Sequence, residues 1–151
     1  MIIASDAGAR IAGIIREELG KEVDLFSVSE RSGCVRINSI TDFTLRHFGD
    51  YEAFVFIGAM GICVRAIAPC VTSKYADPAV VNVDATGHFV VSVLAGHVGG
   101  ANALTKRLAR ILGAQPVVTT QSDNTGLWAL DLLGKELSLI HISEPTRLQL
   151  I

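Results

Sequence analysis

The feature that most constrains the fold is a regular alternation of short apolar runs with segments whose apolar residues recur at helical spacing. The clearest run is Ala53–Ile57, which reads Ala-Phe-Val-Phe-Ile and leads through Gly58-Ala59-Met60-Gly61 into a helical segment. Strands of parallel sheets are covered on both faces and show such continuous apolar runs. The alternation therefore predicts an α/β fold with three layers, built on a mostly parallel open sheet of the Rossmann or flavodoxin-like kind.

The remaining elements are predicted from the same periodicities and from Gly and Pro punctuation. Further strands are expected at 1–5, 23–26, 34–37, 79–83, 89–94 and 116–119. Helices are expected at 7–19, 62–68, 101–112 and 125–133, and another starts between Ser39 and Asp42 and runs to about Phe48. A four-residue turn with Gly87 joins strands 79–83 and 89–94, so these two strands are predicted to form an antiparallel β-hairpin.

Charge and composition limit the class of partner. The 151 residues include 13 Lys+Arg and 15 Asp+Glu, for a formal charge of −2, and half of the residues are hydrophobic. No basic cluster suits nucleic acid or a membrane surface, and no apolar run reaches the roughly 18 residues of a membrane helix. Three cysteines without C-x-x-C spacing indicate reduced thiols and a cytoplasmic protein. Small molecules or other proteins remain as partners, and the oligomeric state is open.

The last fifteen residues are treated separately. Residues 137–151 contain S-L-I-H-I-S-E-P-T-R, which resembles translated sequencing-adapter read-through, so they are excluded from fold reasoning. A genuine terminal strand or amphipathic tail is the alternative. We expect residues 1–136 to form one α/β domain of a truncated protein, whose native sequence continues past about Lys135.

Three predicted strand-to-helix junctions carry glycine-rich or polar loops, at residues 58–61, 94–100 and 119–124. Ligands of open α/β sheets bind beyond the carboxyl ends of the strands, where helix N-termini present N–H groups and a partial positive charge. We therefore expect all three loops to meet at that edge and form one site for an anionic ligand. Arg65, one turn into its helix, would add a full positive charge. A tight turn is the alternative reason for Gly58 and Gly61.

The segment Gly96-His97-Val98-Gly99-Gly100-Ala101-Asn102 carries the sharpest chemical signal. A helix N-terminus disfavours the imidazolium form, so His97 is predicted to be a neutral base or hydrogen-bond donor. The glycines would let a bulky substrate approach the backbone, and Asn102 would orient the imidazole or bind a substrate carbonyl. The alternative is a histidine that only caps the helix.

Other reactive side chains are predicted to have structural roles. Cys63 lies between Ile62 and Val64 and is expected in the core, and His47 and His88 are expected at the surface. Another surface set is expected around the first hairpin strand, formed by Lys74, Asp77 and Asp84. The sequence contains no G-x-x-x-x-G-K-[ST], H-E-x-x-H or G-x-S-x-G motif, so phosphoryl transfer, zinc proteolysis and ordinary α/β-hydrolase chemistry lack their parts.

An ordered set of motifs between residues 54 and 123 carries a family resemblance. These are G-A-M-G-I-C-V-R-A-I-A-P, K-Y-A-D-P-A-V-V-N-V-D-A-T-G-H-F-V-V-S-V-L, A-G-H-V-G-G-A-N-A-L-T and V-V-T-T-Q-S-D. Together they resemble the N-terminal domain of the CbiG family of cobalamin-biosynthesis proteins, the cobalt-precorrin 5A hydrolases. The resemblance implies a hydrolase of the anaerobic vitamin B12 pathway. Its substrate would be a cobalt-bearing macrocycle with a δ-lactone, whose opening releases a two-carbon fragment as acetaldehyde.

The resemblance also gives the candidate residues their expected roles. His97 would activate water, and the N–H groups of Gly99 and Gly100 would stabilise the oxyanion. The remaining pocket is expected to comprise Gly58, Gly61, Arg65, Gly96, Asn102, Thr120 and Asp123, with Arg65 and the 58–61 loop binding an acidic arm. The cobalt would arrive inside the tetrapyrrole substrate, so no cofactor or protein metal site is implied, and other cobalamin-pathway enzymes are candidate partners. The competing interpretation is a non-catalytic α/β module that binds an anionic or corrinoid ligand, although the D-x-H-x-x-G corrinoid signature is missing.

Overall fold

Strands and helices alternate along residues 1–20 and 22–120, which are the residues that the computed structural model describes. The strands are β1 (Ile2–Ile3), β2 (Phe26–Ser27), β3 (Val35–Arg36), β4 (Ala53–Ile57), β5 (Ala79–Val83), β6 (Phe89–Leu94) and β7 (Gln115–Val117). The helices are α1 (Asp6–Leu19), α2 (Ile40–His47), α3 (Met60–Ile67) and α4 (Ala101–Leu112). The predicted helix 125–133, the tail 137–151 and the candidate Asp123 lie outside the described residues.

All seven strands form one sheet in the order β3-β2-β1-β4-β5-β6-β7. Neighbouring strands from β3 to β5 are parallel, and β5 and β6 form the predicted antiparallel hairpin, in which Val83 pairs with Val90. Strand β7 is parallel to β6 and therefore runs against β1 to β5. The predicted class, a mostly parallel open α/β sheet with one hairpin, is confirmed.

Helices cover both faces of the sheet because successive side chains of a strand point to opposite sides. Val55 and Ile57 of β4 pack with α1 and α4 in one apolar cluster, whereas Phe54 and Phe56 pack with α3 in a second cluster. In β1, Ile3 belongs to the first cluster and Ile2 to the second. Each face therefore has its own apolar core, and the architecture has the three predicted layers.

Helix starts are set by capping side chains. Ser5 Oγ accepts from the Gly8 N–H at 3.1 Å, and Ser39 Oγ accepts from the Asp42 N–H at 3.2 Å, so α1 and α2 begin directly after these serines. In contrast, α3 begins two residues before its predicted start at Ile62 and has no side-chain cap. Within the described part of the chain, no helix is long and apolar enough to cross a membrane.

Candidate functional site

The hairpin divides the predicted site between two edges of the sheet. Phe54 of β4 is in register with Val80 of β5, which in turn lies opposite Leu94 at the end of β6. Loop 95–100 therefore lies at the amino ends of β4 and β5, and loop 58–61 lies at their carboxyl ends. A five-residue strand is about 16 Å long, so the prediction of one shared site is wrong. We call the two regions the Gly58 edge and the His97 edge.

The Gly58 edge is built by close backbone contacts. Gly58 has φ 155°, its N–H donates to Val83 O at 2.9 Å, and its carbonyl accepts from Asn82 Nδ2 at 3.2 Å. A Cβ on Gly58 would lie 3.1 Å from the Cβ of Ala4. These contacts give Gly58 a structural reason to be glycine and fix the start of α3.

Arg65 belongs to the Gly58 edge rather than to the His97 edge. Its side chain is exposed and extends back along α3, so that Nη1 lies 3.6 Å from the position of a Cβ on Gly61. A guanidinium beside a helix N-terminus without a capping side chain favours an anion, and binding of an anion by Arg65 stays a prediction. The predicted partnership of Arg65 with His97 is nevertheless wrong, because the antiparallel turn carries β6 back across the sheet.

At the His97 edge, the backbone of residues 95–100 is held by the first turn of α4. The N–H groups of Ala101 and Asn102 donate to the carbonyls of Ala95 and Gly96, at 3.2 and 3.0 Å. The Gly100 N–H donates to His97 O at 3.2 Å, so it is engaged within the loop in this structure, and its role as an oxyanion donor stays a prediction. His97 itself is half-buried.

Two glycines of this loop have steric reasons to be glycine. A Cβ on Gly99 would lie 2.5 Å from the Cβ of Ala95, and Ala95 itself has φ 56°, a backbone conformation that costs about 1 kcal/mol for a residue other than glycine. A Cβ on Gly96 would lie 2.8 Å from Asn102 Oδ1. Glycine at 96 and 99 is therefore required by packing within the loop, whatever approaches it from outside.

Asn102 is the centre of a side-chain network that joins three elements. Its Oδ1 accepts from Ser92 Oγ of β6 at 2.7 Å, and its Nδ2 donates to Thr120 Oγ1, after β7, at 2.8 Å. The residue is 5% exposed. The predicted roles of Asn102, orienting the imidazole or binding a substrate carbonyl, need an accessible amide group, whereas both ends of this amide are bonded within the protein.

Thr120 and Asn102 are the part of the predicted pocket that the structure brings together. They meet because β6 and β7 are parallel and end at the same edge. Ser92 was missed by the sequence analysis. Its available signal is alternation: Val90 and Ser92 point to the same face of β6, so a serine two residues after a buried valine is a polar group aimed at α4.

A cavity of about 370 Å³ opens near the His97 edge, at the amino ends of β1 and β4. Its carboxylates belong to Glu22, Asp24, Asp50 and Glu52. Ala79 lies between the lining residue Glu52 and the His97 loop: its N–H donates to Glu52 O at 3.0 Å, and its nitrogen lies 3.3 Å from the Cβ position of Gly99. The four acidic residues of the lining disfavour an anion in this cavity.

Two other reactive residues are fixed in structural roles. Cys63 is fully buried, and burial raises the pKa of its thiol to about 12, which confirms the prediction of a core residue. Asp77 was expected at the surface, but it is 7% exposed and its carboxylate accepts from the N–H and hydroxyl of Thr72 and the N–H of Ser73. That expectation is wrong because a carboxylate can be buried when a turn supplies several donors.

No group of three or more His, Cys, Asp or Glu side chains within residues 1–20 and 22–120 is arranged to hold a metal ion.

Comparison with known proteins decides the family. The family model for the cobalamin synthesis G N-terminal domain matches residues 42–123, more than half of the 151-residue chain. The chain belongs to the cobalamin synthesis G N-terminal family. The matched segment contains both loops described above, the whole Ser92–Asn102–Thr120 network and Asp123, so every candidate residue of the cobalamin synthesis G domain lies within it.

Curated relatives and a solved structure agree with this membership. The chain is 54% identical over 91 residues to the cobalt-precorrin-5A hydrolase of Salmonella typhimurium, covering 60% of this chain and 26% of that protein. It is 45% identical over 93 residues to the cobalt-precorrin-5A hydrolase of Priestia megaterium, covering 62% and 25% of the two chains. The chain thus spans about a quarter of the length of these relatives of the cobalamin synthesis G family.

The fold comparison reaches the same family. The crystal structure of a cobalamin biosynthesis protein G homologue from Sulfolobus solfataricus superposes with a TM-score of 0.57 at 30% sequence identity. The superposition covers 78% of this chain and 35% of that one. The fold of this chain is therefore similar to that of a cobalamin biosynthesis protein G homologue over most of the chain.

Proposed function

We propose that this chain is the N-terminal part of a cobalt-precorrin-5A hydrolase and that the His97 edge faces the reacting group of the substrate. The observation that carries the proposal is the 54% identity to the Salmonella typhimurium hydrolase over a segment of 91 residues. The reaction proposed is hydrolytic opening of the δ-lactone, with release of the two-carbon fragment as acetaldehyde. The enzyme would act in anaerobic cobalamin biosynthesis and in the cytoplasm.

The His97 edge supplies groups suited to lactone opening. Hydrolysis needs a base that removes a proton from water and a donor that stabilises the negative charge on the carbonyl oxygen. In this proposal the half-buried His97 is the base and the Gly99 N–H is the oxyanion donor. The bonds from α4 to the carbonyls of Ala95 and Gly96 hold the loop before substrate binds, which reduces the ordering required in the transition state.

The Gly58 edge has a different part in this proposal. Because it lies across the sheet from His97, Arg65 and the 58–61 loop do not contact the lactone in this domain. They remain candidates for binding a carboxylate of the substrate elsewhere or a separate anion. The cobalt is proposed to enter as part of the tetrapyrrole, with no resident metal or cofactor in the protein.

A non-catalytic binding module remains the second candidate function. It is favoured by the internal bonding of two candidate groups, since the Asn102 amide is bonded to Ser92 and Thr120 and the Gly100 N–H to His97 O. A module would bind the cobalt macrocycle and leave the chemistry to other polypeptide.

The experiment that separates the two functions measures binding and chemistry on the same sample. The 151-residue chain is titrated with the cobalt-precorrin lactone while the corrinoid absorbance and the released acetaldehyde are recorded. The hydrolase proposal predicts aldehyde release that falls at least 100-fold in His97→Gln. The matched control is His88→Gln, because His88 is exposed at the hairpin turn on the Gly58 edge.

The outcomes of this experiment distinguish the hydrolase from the binding module. An absorbance change without aldehyde supports the binding module. The absence of both signals would contradict both functions for this chain. Full aldehyde release by His97→Gln would remove His97 from the reaction and leave the family membership untouched.

A further inference from the structure

We infer that Ser92, Asn102 and Thr120 form a positioning network for the His97 loop, in which Ser92 is a positioning residue. This inference rests on the proposed function, because it assigns the network to the reaction at the His97 edge. It replaces a direct role for Asn102 in contacting substrate.

Asn102 lies between two elements of the sheet. Ser92 Oγ lies 2.7 Å from Asn102 Oδ1, and Thr120 Oγ1 lies 2.8 Å from Asn102 Nδ2. One side chain on the first turn of α4 is thus tied to β6 and to the segment after β7. With two partners on opposite sides, the amide has little freedom to rotate.

Asn102 also contacts the His97 loop directly. The backbone N–H of Asn102 donates to Gly96 O, and the Asn102 side chain occupies the space in which a Cβ of Gly96 would lie. Gly96 directly precedes His97, whose own carbonyl accepts from the Gly100 N–H. Moving Asn102 therefore moves the peptide group that joins Gly96 to His97.

Without the Ser92 hydroxyl, Asn102 Oδ1 loses a hydrogen-bond donor in a buried place. Asn102 is 5% exposed, so its Oδ1 cannot readily replace a lost protein donor with water. A buried acceptor that loses a donor favours a rearrangement that restores the lost hydrogen bond. In Ser92→Ala, the amide of Asn102 is expected to rotate or shift and to carry the Gly96–His97 peptide with it.

Hydrogen exchange and NMR test the inference on the full 151-residue chain. In Ser92→Ala, the amide protons of Gly100 and Asn102 are expected to exchange at least ten-fold faster, and the imidazole signals of His97 are expected to shift. Amide exchange in β4 and the imidazole signals of His47 and His88 should stay as in the parent protein. Ser92→Thr keeps the hydroxyl and is expected to restore the parent values.

The control removes a serine hydrogen bond in another part of the chain. Ser39→Ala loses the bond to the Asp42 N–H at the start of α2, at the Gly58 edge. It is expected to lower overall stability without changing the His97 signals. If Ser92→Ala does not fold, Thr120→Val removes the hydroxyl bonded to Asn102 Nδ2 and gives the same readouts.

Unchanged Gly100 exchange and His97 signals in a folded Ser92→Ala or Thr120→Val protein would overturn the inference. The same result would follow if Ser39→Ala changed the His97 signals equally, because the effect would then be one of stability alone. These readouts need no turnover, so a parent chain that releases no acetaldehyde would count against the proposed function and leave the network to be judged on NMR. Where the parent is active, kcat is expected to fall at least ten-fold in Ser92→Ala with a smaller change in KM.

Discussion

Asn102 and Thr120 are joined by a hydrogen bond of 2.8 Å that connects the first turn of α4 to the segment following β7. The two residues are 18 positions apart in sequence, and the intervening chain is helix α4 and strand β7. Their contact exists because β7 is parallel to β6, which the hairpin has reversed, so that both strands end at the edge where α4 begins. The same reversal takes the His97 loop away from Arg65, so a single hairpin decides which candidate residues act together.

The steric requirement at Gly99 predicts a large loss of stability on substitution. In Gly99→Ala, the new Cβ would lie 2.5 Å from the Cβ of Ala95 and 3.0 Å from its carbonyl oxygen, and the backbone has to shift. We expect the free energy of unfolding to fall by about 1–3 kcal/mol, as for other overpacked sites. Urea denaturation measures it.

Gly13→Ala is the matched control for this substitution. Among the described residues, nothing outside the backbone of α1 and the chain neighbours of Gly13 lies within 4 Å of the position of a Cβ on this glycine. Alanine there should raise the free energy of unfolding by about 0.5–1 kcal/mol, because glycine is a poor helix former. Equal losses in both variants would show that the contact with Ala95 is not the cause.

The buried hydroxyl of Thr105 in α4 is expected to be replaceable without loss of stability. Thr105 is fully buried, and its Oγ1 has no hydrogen-bond partner among the described residues. Thr105→Val keeps the shape and removes the unsatisfied group, so the free energy of unfolding should stay constant or rise by about 1 kcal/mol. In contrast, Thr44 is fully buried and donates to Ile40 O at 2.8 Å, so Thr44→Val should lower it by about 1 kcal/mol. A thermal melt series on both variants checks the opposite signs.

Asp77 predicts how stability depends on pH. Burial by itself raises the pKa of this carboxyl, but hydrogen bonds from Thr72 and Ser73 outweigh burial and hold the pKa below its usual value. A carboxyl whose pKa is lower in the folded state stabilises the protein above its unfolded pKa of about 3.9, and this contribution is lost as the pH falls through the folded pKa. Asp77→Asn should therefore be less stable at neutral pH and lose less stability on acidification.

Urea titrations between neutral pH and about pH 2 measure this dependence. The control is Glu17→Gln, which changes an exposed carboxylate on α1. An acid-induced loss of stability in Asp77→Asn as large as in the parent protein would contradict the role given to the Thr72–Ser73 turn.

Cys63 predicts a difference in thiol reactivity. Burial raises its pKa to about 12, so very little thiolate is present near neutral pH, and the thiolate is the nucleophile. At pH 8 we expect a disulfide reagent to modify Cys63 at least ten-fold more slowly than the partly exposed Cys34. Peptide mass spectrometry after timed quenching gives the two rates, and guanidinium unfolding should make them equal. Equal rates in the folded protein would show that Cys63 is accessible.

Much of the fold could be predicted because its strongest signals are local. The continuous apolar run of β4 and the spacing of Leu104, Leu108 and Leu112 in α4 indicate their structure without knowledge of the neighbours, and both elements have their predicted bounds. The short strands were predicted less well. Residues 23–26 were predicted as a strand, but β2 is Phe26–Ser27, because a two-residue strand is defined by its pairing with Ile2 and Ile3 rather than by its own sequence.

In the candidate site, too, local features were predicted and features that depend on strand pairing were not. The chemistry of the His97 loop and the choice of Asn102 and Thr120 follow from residue type and spacing. Ser92 escaped notice, and Arg65 was assigned to the wrong neighbours, because both depend on which strands lie side by side and in which direction. The hairpin was predicted, but its consequence was not. Because β6 runs against β4 and β5, the loop after β6 lies at the amino ends of these two strands.

By itself, the amino-acid sequence determined the layered α/β class, the hairpin, the family and the residues able to do chemistry, because periodicity, turn residues and ordered motifs are properties of the chain. Only the tertiary structure decided that His97 and Arg65 lie at opposite edges and that Asn102 is bonded to Ser92 and Thr120. The physical reason is that strand order and direction are fixed by hydrogen bonds and apolar packing between segments far apart in sequence, which no local pattern encodes.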